Sequence, residues 1–391
     1  MGGPASVSRP FEVYVHVPYC RRRCGYCDFN TYVGDGEGYA AVALAEMELA
    51  AAWLEERWAG GGGRPATTVF FGGGTPTVLP ARDLVALLDG VRARFGLAPE
   101  AEVTVEANPD TVNAGSLREL AAGGFTRVSY GMQSFVPSVL QVLDRTHDAA
   151  RLPEVVDWAR VAGLDVSCDL IYGTPGETID EWRASLEAVV AMGLSHVSCY
   201  ALTIEPGTPL WRRVQSGAVA DTDEDDLVTK YELADSVLGE GGLGWYEISN
   251  WAVPGAECRH NLGYWTGADW WGIGPGAHSA IGSERFWNVR LPRAYESLIA
   301  AGRLPWAGCD VPDAAGLVLE HIMLGVRLAQ GLDLDVLGLP GSASRAVAEG
   351  TAGKLADDGL LDEEALGGRH RAVLTLRGRM LADIVTRELA P

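Results

Sequence analysis

Apolar positions in the first half of the chain alternate between a period of two and a period near 3.6, the mark of strands interleaved with helices. Phe11 to Val17 alternates and is rich in β-branched and aromatic residues, and Gly38 to Trp58 sets Val42, Ala45, Leu49 and Ala52 on one helical stripe. The apolar run Thr67 to Phe71 precedes a helical stretch, Arg82 to Phe95, striped by Leu84, Leu87, Leu88 and Val91. Strand-like Ala101 to Glu106, Phe125 to Tyr130, Leu164 to Ile171 and His196 to Leu202 then interleave with helical Ser116 to Ala122, Leu152 to Val161 and Ile179 to Met192. Six strands with helices in most gaps predict an α/β fold built on a parallel sheet, open or closed into a barrel.

The rhythm changes after Leu243. Trp- and Gly-rich segments (Trp245 to Trp251, His260 to Gly276) lead to a strand-like piece, Arg285 to Val289. From about Val311 the pattern is helix–helix–strand–helix, which predicts a small winged-helix-like unit. The chain thus divides into a β/α core (1–240), an extension of it (241–310) and a C-terminal helical, winged-helix-like domain (311–391). Asp221 to Asp226 reads as a solvated helix start favoured by the helix dipole, and Gly60 to Gly63 as a surface loop.

In parallel β/α folds chemistry collects where strands end. The six strands run into YCRRRCGYCDF, FGGGTPT, Glu106 to Pro109, Gly131 to Ser134, Asp169 with YGTPGET, and ALTIEPGT. One such loop is ordinary turn chemistry; six together place polar, Gly-rich and Cys-rich elements on one rim.

Composition narrows the function. The 391 residues carry a formal charge of −21, which argues against broad binding to nucleic acid or anionic lipid, since both need a basic face. No apolar stretch is long enough to span a membrane, and the first ten residues lack the apolar segment of a signal peptide. Seven cysteines in such a chain predict a reduced, cytoplasmic protein whose clustered thiols serve metal or catalysis.

Three of the seven form Cys20-x3-Cys24-x2-Cys27. Structural zinc sites favour two separated pairs, and here a fourth ligand would have to be His16 or a distant Cys. A redox dithiol of Cys24 and Cys27 would lack the thioredoxin setting. Three thiolates suit an iron–sulfur cluster with one iron left open to a small molecule.

This spacing after a first strand, with Tyr26 before the last Cys and FGGGTPT after the second strand, resembles the radical S-adenosylmethionine (SAM) superfamily. The resemblance implies a partial (β/α)6 barrel and a [4Fe-4S] cluster on Cys20, Cys24 and Cys27. SAM would bind the open iron, and one electron would release methionine and a 5′-deoxyadenosyl radical. Gly73, Gly74 and Thr75 would let the backbone approach the methionine amino group. Glu106 and Asp169 suit ribose hydroxyls or that amino group, and Gln133 and Arg145 suit the ribose and the carboxylate.

Over nearly the whole chain the sequence is similar to the HemN/HemW family: oxygen-independent coproporphyrinogen III oxidases and their haem-chaperone relatives. YVHVPYC, FGGGTPT, YGMQSF, DLIYGTPGET, Tyr246 to Asn250, Gly272 to Gly276 and HIMLGVRLAQGLDL carry that likeness. Residue by residue it implies SAM contacts at Tyr14, Tyr26, Gly73, Gly74, Thr75, Glu106, Gln133, Arg145, Asp169 and Ala201. The oxidases carry a further Cys where this chain has Phe29, and a longer segment before the cluster than the 19 residues here. Both features favour the haem-chaperone branch, as does His260-Asn261-Leu262-Gly263-Tyr264-Trp265, which fits an HNxxYW element associated with haem binding. His260 would ligate iron, Tyr264 and Trp265 would face the porphyrin, Arg259 would pair with a propionate, and Cys258 is a second candidate ligand. A buried aromatic core with a hydrogen-bonded histidine is the competing reading of that element. Trp270 and Trp271 read as packing, and Cys168, Cys199 and Cys309 as small buried apolar residues.

The expected function is a haem chaperone holding a [4Fe-4S] cluster, SAM and haem, and passing haem to an acceptor, for example a respiratory haem protein. The alternatives are oxidative decarboxylation of coproporphyrinogen III and another radical reaction on a tetrapyrrole. The resemblance implies an electron donor of the flavodoxin or ferredoxin type. No nucleic acid is expected, and membrane association only through a partner.

Overall fold

In the computed structural model, which describes residues 9–57, 63–338 and 342–390, one continuous sheet of twelve strands organises the chain. Six strands lie side by side in chain order, all parallel: β1 (Phe11–Val17), β2 (Ala66–Gly73), β3 (Leu97–Ala107), β4 (Arg127–Gln133), β5 (Asp165–Tyr172) and β6 (His196–Ala201). Helices α1 (Tyr39–Arg57), α2 (Ala81–Arg94), α3 (Ala114–Gly123), α4 (Leu152–Val161) and α5 (Ile179–Ala191) fill the crossovers, as β/α alternation requires. All six expected strands are present. The glycine-rich stretch after Arg57 lies outside the described residues except for Gly63.

Local chemistry sets several boundaries. Asn113 caps α3 by accepting from the amides of Gly115 and Ser116, and Thr178 with Glu181 forms a capping box on α5. The acidic run leads into α6 (Glu224–Glu240), with Asp223 as its N-cap. The α2 stripe is buried as expected. The α1 stripe is a correction: Ala45 and Ala52 are exposed, and the helix buries Ala43, Met47, Ala50 and Leu54. Apolar residues surround α1 on nearly every side, so periodicity could not single out its core face.

The sheet extends past the predicted six strands at both ends. β7 (Gly244–Glu247) pairs antiparallel with β8 (Asn250–Ala252), and β8 in turn pairs antiparallel with β6. The chain then crosses through α7 (Arg259–Thr266) to β9 (Asp269–Ile273), which pairs parallel with β1 in the register Phe11–Asp269 to Val15–Ile273. Antiparallel β10 (His278–Ile281), β11 (Glu284–Asn288) and β12 (Trp306–Asp310) complete that edge. Apart from β11, these strands are too short and too Trp/Gly-rich to show an alternation; tertiary pairing makes them strands. Trp271 is buried against Trp53, and Trp270 packs on Tyr264, in line with the packing reading of both.

The segment after Asp310 builds its own core from Ile322, Val326, Leu355, Leu361, Leu374 and Val385, with Leu332–Asp333 paired antiparallel to Arg371–Ala372. Arg379 ties it to the barrel by gripping both Asp235 oxygens of α6 at 2.7 Å while lying over Trp245.

One buried carboxylate ties α1 to the β9–β11 edge of the sheet. Glu46 of α1 accepts from the Gly274 amide (2.7 Å), the Asn288 side-chain amide (2.8 Å) and the Tyr295 hydroxyl (2.7 Å). Burial pushes its pKa up to about 7 against the pull of those bonds. Glu46→Ala strands three buried donors, so it is expected to lower stability by about 3 kcal/mol or more, read as a shifted denaturant midpoint.

Candidate functional site

The rim loop after β1 is fixed by main-chain contacts. The Gly74 amide donates to Val17 O and the Thr75 amide to Tyr19 O, both at 2.8 Å. A Cβ on Gly74 would lie 2.6 Å from Tyr19 O, and Gly73 has φ +108 with His16 where a Cβ would go. Only glycine fits at either position. The glycines therefore serve the packing of the loop first, besides any approach to a ligand. The turn brings the Thr75 hydroxyl to Cys20 Sγ (3.5 Å), and Arg145 donates to Cys24 Sγ (3.5 Å).

Cys20, Cys24 and Cys27 line a single cavity of about 540 Å3 that runs from this rim down the inside of the sheet. Burial raises the Cys20 and Cys27 thiols above their ordinary pKa, so both wait as thiols until a metal takes the proton's place. Among the described residues no three His, Cys, Asp or Glu side chains group closely enough to hold a lone metal ion. Three thiols spaced around one loop fit a polynuclear cluster instead, where each thiolate takes a different iron.

The same cavity is lined by Tyr14, Tyr26, Gly73, Gly74, Thr75, Glu106, Gln133, Arg145, Asp169 and Ala201, so the whole expected SAM set is brought together. Glu106 accepts from the Gly73 amide at 3.1 Å. Burial and the neighbouring Asp169 raise its pKa to about 8; Asp169, also buried but hydrogen-bonded by Ser198 and Ser129, is raised to about 6. The pair thus holds one extra proton near neutrality. Arg145 donates to Asn108 Oδ1 (2.6 Å) and Gly131 O, leaving its buried Nε unpartnered. Gln133 sits beside a register shift at φ +64, a strained backbone at the rim. These donors and acids fit a zwitterionic, ribose-bearing ligand. Sequence reasoning missed Asn108, Ser129, Ser198 and the half-exposed Tyr200 on this wall; EANPD placed Asn108 on the rim without giving it a role.

The HNxxYW element takes a different place. Helix α7 lies across the opposite end of the strands. The His260 amide donates to Glu102 (3.1 Å), and its ring pairs with the Thr68 hydroxyl through Nδ1 (2.6 Å) and with the Tyr264 hydroxyl through Nε2 (2.9 Å). It stacks on Phe70 at 5.2 Å, and a Cβ on Gly263 would strike Glu12 at 1.9 Å. Burial lowers the His260 pKa to about 3 and raises that of Glu12 to about 9, so their 3.5 Å approach joins two uncharged groups. His260, Asn261 and Tyr264 line the floor of the cavity; Trp265 is not on its wall. Iron ligation by His260 would cost it one of its two ring hydrogen bonds. Arg259 donates to Glu100 O, away from the cavity, and the buried Cys258 thiol lies 3.6 Å from Glu102. Cys168 and Cys199 are buried, but Cys309 is exposed on outer strand β12, a correction to its reading as buried.

A second cavity, of about 620 Å3, adjoins the first and is lined by Tyr14, His16, Asp28, Phe29, Asn30, Gly73, Glu106, Gly276, His278, Trp287, Asn288 and Arg290. No helix of the described residues is long and apolar enough to cross a membrane.

Comparison with known proteins agrees with this geometry. Residues 14–189 match the model of the radical SAM superfamily. The chain is 48% identical over 388 residues to the haem chaperone HemW of Mycobacterium tuberculosis, covering 97% of this chain and 95% of that one. It is 36% identical over 277 residues to Escherichia coli HemW, 70% of each chain. Bovine radical S-adenosyl methionine domain-containing protein 1, mitochondrial, is 37% identical over 276 residues, 70% of this chain and 62% of that one. Among solved structures, E. coli coproporphyrinogen III oxidase (HemN) shares the fold, with a TM-score of 0.81 at 22% identity, covering 98% of this chain and 90% of that one.

Replacing Cys20, Cys24 or Cys27 by Ala is expected to prevent anaerobic reconstitution to about four iron and four sulfide per chain. Cys309→Ala should keep the full content, as measured by iron and sulfide assay.

Proposed function

The chain belongs to the HemW family of the radical SAM superfamily, and from that premise we propose that it is a haem chaperone that carries haem to an acceptor protein. The observation that carries the reading is the 48% identity to a haem chaperone along 97% of the chain. Phe29 at the position of the oxidases' additional cysteine supports it. The likeness to the oxidase HemN extends to the fold alone.

In this reading Cys20, Cys24 and Cys27 hold a [4Fe-4S] cluster, which supplies one-electron chemistry and an open coordination position when bound. Arg145, with its unpartnered Nε, and Gln133 orient the SAM carboxylate and ribose. Glu106 and Asp169 face its cationic groups. The Tyr26 ring closes the side of the cavity near the thiols. Haem is cargo, and its acceptor is a haem protein.

The carboxylate pair makes SAM binding depend on pH. A cationic ligand favours ionised carboxylates, so binding expels the proton held by Glu106 and Asp169. Affinity should rise with pH between about 6 and 8, by up to about tenfold per unit for one proton released. Glu106→Gln should weaken binding and flatten that slope in titrations of the reconstituted protein.

The function is tested by offering haem and coproporphyrinogen III in parallel to the anaerobically reconstituted protein. Uptake of haem and its transfer to an apo-haem protein, with no protoporphyrinogen formed from SAM and a reductant, is the expected outcome. Turnover of coproporphyrinogen without haem uptake reverses the assignment.

A further inference from the structure

We propose that His16 is a positioning residue for SAM: its ring, held between the Tyr14 hydroxyl and the Asn30 carbonyl, makes the Tyr14 oxygen a hydrogen-bond acceptor on the wall of the first cavity. The inference rests on the reading of that cavity as a SAM site. It deepens that reading by naming a residue that decides which group of the ligand the wall takes.

The direction of each proton follows from the partners. His16 Nε2 lies 3.0 Å from Asn30 O, and Nδ1 lies 3.0 Å from the Tyr14 hydroxyl. A main-chain carbonyl only accepts, so the N–H sits on Nε2. The ring is buried, and burial holds it below the usual histidine pKa, so at neutral pH it carries that one N–H alone. Nδ1 is then a lone pair, and it takes the Tyr14 proton. Burial and the nearby Glu106 keep the Tyr14 hydroxyl protonated, so its single proton is spent on His16. Among the described residues this hydroxyl makes no other hydrogen bond. What it offers a ligand is a lone pair.

Tyr14 lines the first cavity beside Gly73 and Glu106. An acceptor there attracts an ammonium, amine or hydroxyl hydrogen and repels a carboxylate oxygen. SAM carries an ammonium and a carboxylate on the same carbon, so a wall of fixed polarity separates two poses of similar shape.

The relay is held in place before any ligand arrives. Tyr14 and His16 stand two residues apart on β1, on the same face of the strand. The ring occupies the space of a Gly73 side chain, whose Cβ would lie 2.4 Å from His16 Cε1, and the Tyr39 hydroxyl donates to His16 O (2.7 Å). Asn30 is anchored by its side-chain amide, which donates to Pro275 O (2.9 Å) and Arg290 O (3.0 Å). Asn30 also ends the cysteine loop, three residues after Cys27. The same carbonyl therefore links the placing of the thiols to the polarity of the SAM wall. Such preorganisation lowers the cost of binding.

The test titrates the full-length, cluster-loaded protein with SAM and compares His16→Leu, His16→Gln, Tyr14→Phe and the double variant His16→Leu/Tyr14→Phe. A Gln amide accepts from a hydroxyl and donates to a carbonyl, so it reproduces both bonds of the ring. His16→Leu is expected to weaken SAM binding by about tenfold, and His16→Gln to recover most of that loss. The double variant should bind no worse than Tyr14→Phe alone, because the histidine acts through the hydroxyl. Equal loss in both His16 variants, or a His16→Leu loss that adds fully to that of Tyr14→Phe, marks a packing role and overturns the relay. Unchanged affinity in His16→Leu overturns it as well. A second measurement uses the unloaded wild-type protein: ring-nitrogen NMR, with His16 assigned as the signal lost in His16→Gln, should show a neutral ring protonated at Nε2. A proton on Nδ1 overturns the relay. Wild-type, cluster-loaded protein that binds no SAM overturns the reading of the cavity itself, a result separate from all of these.

Discussion

The place of the cysteine loop is dictated by a contact that admits no side chain. β1 and β2 run parallel in register to Val17–Gly73, and the chain leaving β2 folds back onto the chain leaving β1 through the Gly74 and Thr75 amides. A side chain at Gly74 would collide with backbone, which cannot yield as a side chain can. From that one turn follow the Thr75 contact to Cys20 and the Gly73 contact to Glu106. Thiols and buried acid are therefore placed by the same few residues, and neither can shift without the other.

The two ends of the strands solve opposite electrostatic problems. At the floor, burial outweighs charge: Glu12 keeps its proton, His260 stays neutral, and Arg127 lies 3.4 Å from Glu102. Burying isolated charges there would cost several kcal/mol each, and neutralisation avoids most of it. At the rim the Glu106–Asp169 pair also holds a proton, but arginines stand beside it. Arg22, Arg23 and Arg145 line the first cavity and Arg290 the second. An HNxxYW helix that plugs the neutral end explains why its histidine is so completely hydrogen-bonded.

Much of this was legible in the sequence because local and global demands agree. The six parallel strands announced themselves by composition and spacing, and the thiol triplet with the glycine turn identified the rim. What stayed hidden depended on distant pairing. β9 is a strand because β1 offers it a parallel partner, and nothing in WWGIG alternates. The buried face of α1 is chosen by Glu46 and its three donors on other elements. The partners of His260 were hidden because a motif shows residue types and not what they touch. Thr68 and Glu12, which immobilise it, lie roughly 190 and 250 residues earlier. Cys309 read as buried because cysteines usually are, yet it sits on an outer strand.

A net charge of −21 and an arginine-rich rim coexist because charges act over short distances. At physiological ionic strength exposed charges are screened beyond about 8 Å, so the acidic residues spread over the rest of the surface contribute little to the potential within the rim. What a carboxylate meets there is the local set. CRRRC puts three arginines between the first two thiols, Arg145 donates to the second thiol, and Arg290 stands across the loop, its carbonyl bonded to Asn30 and Tyr32. The rim is thus rich in arginine at contact range although the chain as a whole is acidic.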